Sequence, residues 1–357
     1  MAYTDIDKST DYFTTFLWTG DGSSTRSITG VGLQADMMWS KIRNQGHQHN
    51  IVDTVRGVNQ RLLMPDDTGV EDTTGTQGYF NSLDSDGFSL TYGGAGGYNT
   101  NRSGEPYVGW FWKAGGTASS NTDGSITSSV SANTTAGFSI VSYTGNATNG
   151  ATVGHGLNSA PQMVITKNRG GSGDWQVLTN IYPNYSEGDY IYLSATDAKA
   201  NSVNVSFLPT STTWQMKSGQ AGNVASTQIA YCFHSVKGFS KFGSYIGNGN
   251  TDGTFVYTGF KPAWFMTKRT DSANSWVMFD NKRSSSGGFN EIDYSVNANS
   301  NGAEETSSTS SDVDFCSNGI KITEDNGAIN ASGGTFIYMA FAENPFVTSG
   351  GIPACAR

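Results

Sequence analysis

Charge is scarce in this sequence, and cysteine is scarcer. Charged residues fill 14% of its 357 positions, against roughly a quarter in an ordinary globular chain. The 21 basic residues are scattered among 30 acidic ones, for a net charge of −9. That balance excludes a phosphate-tracking surface, because nucleic-acid binding depends on clustered Lys and Arg. Cys232, Cys316 and Cys355 are an odd number at unrelated spacings, which excludes a full disulfide framework and any CxxC metal or redox motif. Cys232 and Cys316 read instead as small buried hydrophobes. No apolar run approaches the roughly 20 residues of a membrane helix. The start, "MAYTDIDKSTDYF", has neither the basic residues nor the apolar centre of a secretion signal. The expectation is a soluble protein made in a cytoplasm, with no membrane insertion, no nucleic-acid partner and no cofactor.

Helix-forming residues are thin as well. In their place stand Thr, Val, Ile, Phe, Tyr, Trp, Gly, Ser and Asn, the residues of pleated strands and tight turns, including 45 glycines. The composition predicts an all-β chain, long enough for two or three domains that each bury a core.

The chain repeats itself. "SYTGNATNGATVGHGLNSAPQMVITKNR" (142–169) recurs as "SYIGNGNTDGTFVYTGFKPAWFMTKR" (244–269) and, more divergently, as "LWTGDGSSTRSITGVGLQADMMWSKIR" (17–43). Each copy has an aromatic residue, one intervening residue and an anchor glycine (Gly20, Gly145, Gly247). A Gly-apolar pair follows (Gly32-Leu33, Gly156-Leu157, Gly259-Phe260), then an apolar strand ending in Lys41, Lys167 or Lys268. Those lysines stand 21, 22 and 21 positions beyond the anchors. Asp53 and Arg56 follow Lys41 by 12 and 15 positions, and Asp280 and Arg283 follow Lys268 by the same distances; the middle copy has Thr179 at the aspartate position. His49, Trp175 and Trp276 each lie 8 positions past the lysine. The copies close on "YVGWFWK", "QIAYCFHS" and "FIYMAFAE", whose last aromatics are Trp112, Phe233 and Phe341.

A period of about 100 residues is too long for a solenoid repeat and fits a small domain. Strand-like runs separated by Gly, Asn, Asp and Ser clusters predict a sandwich or jelly roll. The expected architecture is therefore three tandem β-sandwich domains of jelly-roll or lectin-like type. An N-terminal arm (1–11) precedes the first domain (12–114). A Ser/Thr-rich linker (115–136), in which "SITSSV" could form an edge strand, leads to the second (137–238). The third (239–346) carries a C-terminal tail (347–357). The runs "MMWSKI", "MVITK" and "WFMTK" read as central strands covered on both faces.

Few residues offer chemistry. His155 sits in "GHG", but the glycines lead into a strand and no helix follows, unlike a phosphate loop. The other copies have no histidine there, so it reads as lining a turn. His47 and His49 form an HxH that could seed a metal site, without a third ligand at a suitable spacing; no metal is expected. "DSDG" (84–87) resembles half a calcium loop and is better explained as a β-turn. Asp53 and Asp280 could serve glycosidic chemistry only as members of a carboxylate pair. With Arg56 and Arg283 three residues on, they read as ion pairs that close loops. Lys41, Lys167 and Lys268 read as architecture, with the stem over a core edge and the ammonium in water; a ligand site repeated three times is the alternative. No catalytic residue is predicted, and any binding residues are left open.

"GFSIVSYTGNATNGATVGHGLNSAPQMVITKNR", "KGFSKFGSYIGNGNTDGTFVYTGFKPAWFMTKR" and the ending "FIYMAFAENPFVTSGGIPACAR" resemble a family of repeat-containing virion structural proteins of tailed, particularly marine, bacteriophages. The resemblance covers nearly the whole chain, and brings no catalytic residues. It implies a non-enzymatic protein on the virion surface, assembled in the host cytoplasm: a tail-fibre or appendage component aiding host attachment. A capsid decoration or knob protein and a lectin-like carbohydrate-binding module are alternatives, and a polysaccharide depolymerase comes last. Its partners would be other virion proteins, copies of itself (a trimer, by analogy with fibres) and a host surface glycan.

Overall fold

The computed structural model describes residues 3–285, 290–306 and 312–353. Cys355 lies outside them. The protein is all-β, 43% strand and 2% helical, and its named strands all pair antiparallel within six sheets.

Three of the sheets share one strand order. The first is Phe13–Thr19, Pro106–Trp112, Met37–Ile42, Asn50–Asp53. The second contains Phe138–Thr144, Thr227–Phe233, Met163–Asn168, Gln176–Thr179, and the third Ser240–Ile246, Thr335–Pro345, Phe260–Arg269, Trp276–Asp280. In each, the opening strand of a sequence copy pairs with its closing strand, and the closing strand pairs with the strand that ends in lysine. Both therefore become central, which suits their continuous apolar character: all six residues of Met37–Ile42 are buried. A smaller sheet accompanies each large one. These are built on Thr25–Thr29, Gly87–Thr91 and Tyr79–Asp84; on Ala151–Gly154, Thr213–Met216 and Leu208–Pro209; and on Phe255–Tyr257, Gly319–Ile322, Val313–Cys316 and Glu291–Ile292.

The stretch 115–136, expected as a linker, carries two strands. Ser128–Asn133 and Ser119–Asn121 extend the second large sheet beyond Phe138–Thr144, and with Asp189–Tyr192 and Ala200–Asn201 at its other edge the sheet has eight strands. Serine obscures the alternation in "SSVSAN", yet Val130 is buried against the core and Ser131 is satisfied by a bond from its hydroxyl to the Gly116 carbonyl (2.8 Å).

Side-chain alternation along the central strands divides the apolar residues into four cores. Met38, Phe111 and Tyr107 face Ile28, Phe80 and Phe88 of the first small sheet. Val164 and Cys232 face Val153 and Trp214, and Phe265 and Tyr338 face Val256 and Ile320. The opposite faces do not meet solvent. Met37, Trp110 and Trp112 from the first large sheet, Met163, Tyr231 and Phe233 from the second, and Trp264, Met339 and Phe341 from the third belong to one cluster, the largest in the molecule. At its centre the Trp112 and Trp264 rings meet edge to face at 5.7 Å, and Phe341 lies 5.7 Å from Trp112 and 6.2 Å from Phe233. The three aromatics that close the sequence copies thus converge. What the sequence predicts as three cores is four, the fourth made jointly.

Candidate functional site

The recurring motif accounts for itself in bonds. A Cβ on Gly20, Gly145 or Gly247 would lie 2.1, 2.1 or 2.4 Å from the backbone oxygen of Arg102, Val224 or Ala331, so only glycine permits that approach. The Gly-apolar turns place Gly32, Gly156 and Gly259 at φ of +77°, +71° and +84°. The aromatic two residues before each anchor donates to a buried loop carbonyl: Trp18 to Thr100 (3.0 Å), Tyr143 to Gly222 (2.7 Å) and Tyr245 to Ile329 (2.7 Å).

The residue after each of those carbonyls is an asparagine that sequence reasoning misses. Asn101, Asn223 and Asn330 are fully buried, and each accepts the N–H of the residue following its anchor glycine: Asp21, Asn146 and Asn248, at 3.1, 3.2 and 3.0 Å. Each amide nitrogen donates back into the polar turn, that of Asn223 to the Thr148 carbonyl at 2.8 Å, with a second bond to the Lys217 carbonyl beyond the Thr213–Met216 strand at 3.1 Å. The only signal was a shared Asn-x-(Ser/Ala), too short to register among so many asparagines. Asn223→Ala is expected to destabilise the protein by about 1–3 kcal/mol through stranded backbone groups, measured as a lowered urea midpoint with unchanged slope.

His155 belongs to this construction. Its Nδ1 accepts the Leu157 N–H (3.1 Å), which leaves the proton on Nε2, 3.2 Å from the Thr210 carbonyl. Burial pushes its pKa down to about 4. It is a neutral turn ligand, as its sequence context suggests. The flanking glycines are required on their own account, since a Cβ at Gly154 would meet Asn121 Oδ1 at 1.7 Å.

His47 and His49 part company. His47 stacks on Tyr98 at 3.7 Å, whereas His49 is buried with Nδ1 accepting Trp39 Nε1–H (3.0 Å). Among the described residues no group of three His, Cys, Asp or Glu could hold a metal. In "DSDG", Asp86 accepts the N–H groups of Gly30 and Gly32 (3.1 and 2.6 Å), fastening one turn to another.

The recurring charged residues join neighbouring copies. Arg56 Nε bonds Asp53 Oδ2 (2.5 Å), which also accepts the Tyr231 hydroxyl of copy two (2.7 Å). Arg56 Nη1 reaches Glu71 (2.6 Å), and Glu71 takes Arg169 from copy two (2.9 Å). The third copy repeats the pattern against the first. Arg283 Nε bonds Asp280 Oδ2 (2.6 Å), which accepts Trp110 Nε1–H (2.9 Å). Arg283 also reaches Glu304 (2.7 Å), which is gripped by Arg43. Both Asp–Arg pairs are fully buried.

The seam between copies two and three is built differently, and its changes are matched. Thr179 and Tyr182 replace the Asp–Arg pair. Met339 of copy three, at the position of Trp110 and Tyr231, has no donor to offer. Lys199, whose N–H bonds Thr270 much as Glu71 bonds Arg169, stands where the other seams have glutamate and lies 5.1 Å over the Tyr182 ring. Arg269 pairs with Asp271 of its own copy and Lys199 with Asp189 of its own, so no arginine–glutamate pair crosses this seam among the described residues.

Ring N–H groups add bonds in the same cyclic sense. Trp175 donates to Met64 of copy one and Trp276 to Tyr192 of copy two, both at 2.8 Å. His49, at the equivalent place, is packed beside the backbone of Asn297 and Ser300 in copy three. The substitution of His for Trp keeps an aromatic ring at the seam.

The three lysines correct one expectation: their ammonium groups are not in water. Lys41, Lys167 and Lys268 are at most 1% exposed. Lys167 caps the carbonyls of Gly173 and of Thr68 in copy one (2.6 and 2.9 Å), Lys268 those of Arg269 and of Thr196 in copy two (2.9 and 3.1 Å), and Lys41 those of Ile42 and Gln45 (2.7 and 2.9 Å). The neighbouring copy covers the edge that looked open in sequence. Burial pushes all three pKa values down to about 8. The unfolded chain therefore holds these protons more tightly, and stability is gained as pH rises from about 8 towards the unfolded lysine value of about 10.5. Above pH 10 the buried tyrosines, raised by desolvation, oppose the gain. The melting temperature is expected to be higher at about pH 9.5 than at about pH 7.5 by roughly 2 °C or more; a fall over that interval would contradict the burial of the ammonium groups.

No ligand site emerges from the recurring residues. The cavity at the joint core, between Trp39, Trp112, Trp175 and Trp264, has a volume of about 20 Å³ and an apolar lining, room for little more than a water. No curated protein matches the chain, and no solved structure does. A family model described as a domain of unknown function (DUF7483) matches residues 8–345, and the chain belongs to that family.

Proposed function

We propose that this chain is a non-enzymatic structural protein on the surface of a bacteriophage virion, a tail-fibre or appendage component that aids host attachment. In this reading each large sheet and its small partner form one lectin-like β-sandwich, and the chain is three of them in tandem. The observation that carries the proposal is that the charged side chains recurring between copies are consumed in bonds inside the molecule, several of which cross from one copy to another. Asp53, Asp280, Arg56, Arg283 and the three lysines face one another or backbone carbonyls. The virion-protein resemblance supplies the setting. Assembly in the host cytoplasm suits a particle whose protein reaches the outside with no disulfide framework.

A capsid decoration protein is the second reading, and one observation favours it. The bonds run from copy one to three, two to one and three to two, so a single chain presents three related units around a common centre. Such a chain suits a threefold position without forming a trimer. The trimer expected from fibres is not needed to cover the apolar faces, because the joint core already covers them. Labelling a surface-exposed epitope on intact particles tests both readings: signal on tails or fibres supports the first, and signal on capsids the second. A protein found only inside the capsid, or absent from particles, overturns both. Polysaccharide cleavage by the purified chain overturns the non-enzymatic claim.

A further inference from the structure

We propose that the groove where the second and third copies meet the N-terminal arm binds an acidic carbohydrate, with a sugar carboxylate held between Lys237 and Lys241 and the ring stacked on Tyr257. The groove has a volume of about 440 Å³, and none of the residues lining it is an acid. Lys8, Lys113, Lys199, Lys217, Lys261 and Lys321 each face a carboxylate. Lys237 and Lys241 have no such partner among the described residues. They rest on aromatic rings instead: Lys237 Nζ lies 4.5 Å from the Tyr3 ring centre and Lys241 Nζ 4.9 Å from that of Tyr257. A cation on a ring face is oriented but not neutralised. Lys241 gives one hydrogen to the Tyr257 carbonyl (2.7 Å) and keeps two for a ligand.

The remaining polar groups add donors. The Gln162 carbonyl oxygen accepts the Ser235 N–H (2.7 Å), which leaves its amide nitrogen without a partner among the described residues. Tyr3 donates its hydroxyl to the Gly259 carbonyl (2.6 Å), tying the arm down as one wall. Tyr257 is 53% exposed and Phe255 44%. Two residues apart on an edge strand, they present rings on one face. Exposed tyrosine faces suit the C–H face of a pyranose, and a donor-rich pocket suits its carboxylate. In a chain of net charge −9, long-range attraction does not gather anions, so the local excess of donors sets the affinity.

The biological sense of this site rests on the attachment reading, while the binding itself does not. Calorimetric titration of the purified full chain with a hexuronic-acid oligosaccharide, a neutral glucose oligosaccharide of equal length and inorganic phosphate tests it. The acidic oligosaccharide is expected to bind at least about tenfold more tightly than either other probe. Lys237→Ala with Lys241→Ala, and separately Tyr257→Ala, should each weaken it by about tenfold or more. No binding at millimolar ligand, equal affinity for the neutral sugar or for phosphate, or binding unchanged in the variants would overturn the proposal. Particle labelling is indifferent to these outcomes, so the two proposals fail separately.

Discussion

Replacing Trp112 with alanine is expected to lower the stability of the whole molecule by about 3–5 kcal/mol, the range for a large aromatic deleted from a core. Trp112 is 2% exposed and packs on Phe13 at 5.0 Å, on Trp264 and on Phe341. Its Nε1 has no hydrogen-bond partner among the described residues, so truncation removes packing alone and strands no polar group. Two of its three aromatic neighbours belong to the third copy. Loss of amide-exchange protection should therefore appear in Thr335–Pro345 as well as in Pro106–Trp112. A loss confined to residues 12–114 would mean that the copies are stabilised separately.

Asp280→Ala should cost a similar amount, about 3–5 kcal/mol, for a different reason. Asp280 accepts Arg283 Nε and Trp110 Nε1, and its other oxygen accepts the N–H groups of Lys282 and Arg283 (3.0 and 3.1 Å). Removing one member of a buried ion pair leaves an uncompensated charge, whereas replacing both by a well-packed pair is far milder. The second copy already displays such a replacement in Thr179 and Tyr182. The double variant Asp280→Thr with Arg283→Tyr is thus expected to lie closer to the native protein than Asp280→Ala does, by urea denaturation. A single variant within about 1 kcal/mol of native would remove the case that these pairs hold the seam.

The all-β class, the central lysine-ended strands and the Asp–Arg pairs were legible because each repeats at a fixed spacing. Alternation in "MMWSKI" was masked by burial on both faces. The sequence therefore could not show that Met37 and Trp39 face a different core from Met38 and Ile42. The lysines mislead for the same cause: a cation ending an apolar strand looks solvated until a neighbouring copy covers it. Thr179 reads as a break in the repeat, but the other residues that differ at that seam, Tyr182, Lys199 and Met339, lie up to 160 positions away, and only the fold brings the two copies together. The groove of Lys237, Lys241 and Tyr257 left no trace, since it occurs once and draws on the N-terminal arm, the second copy and the third.

Scanning calorimetry of the full chain tests the central claim most directly. One core shared by three copies, closed by bonds running cyclically between them, predicts a single unfolding transition whose calorimetric and van't Hoff enthalpies agree. Two or three resolved transitions, or a calorimetric enthalpy well above the van't Hoff value, would show that the copies unfold independently and would contradict it.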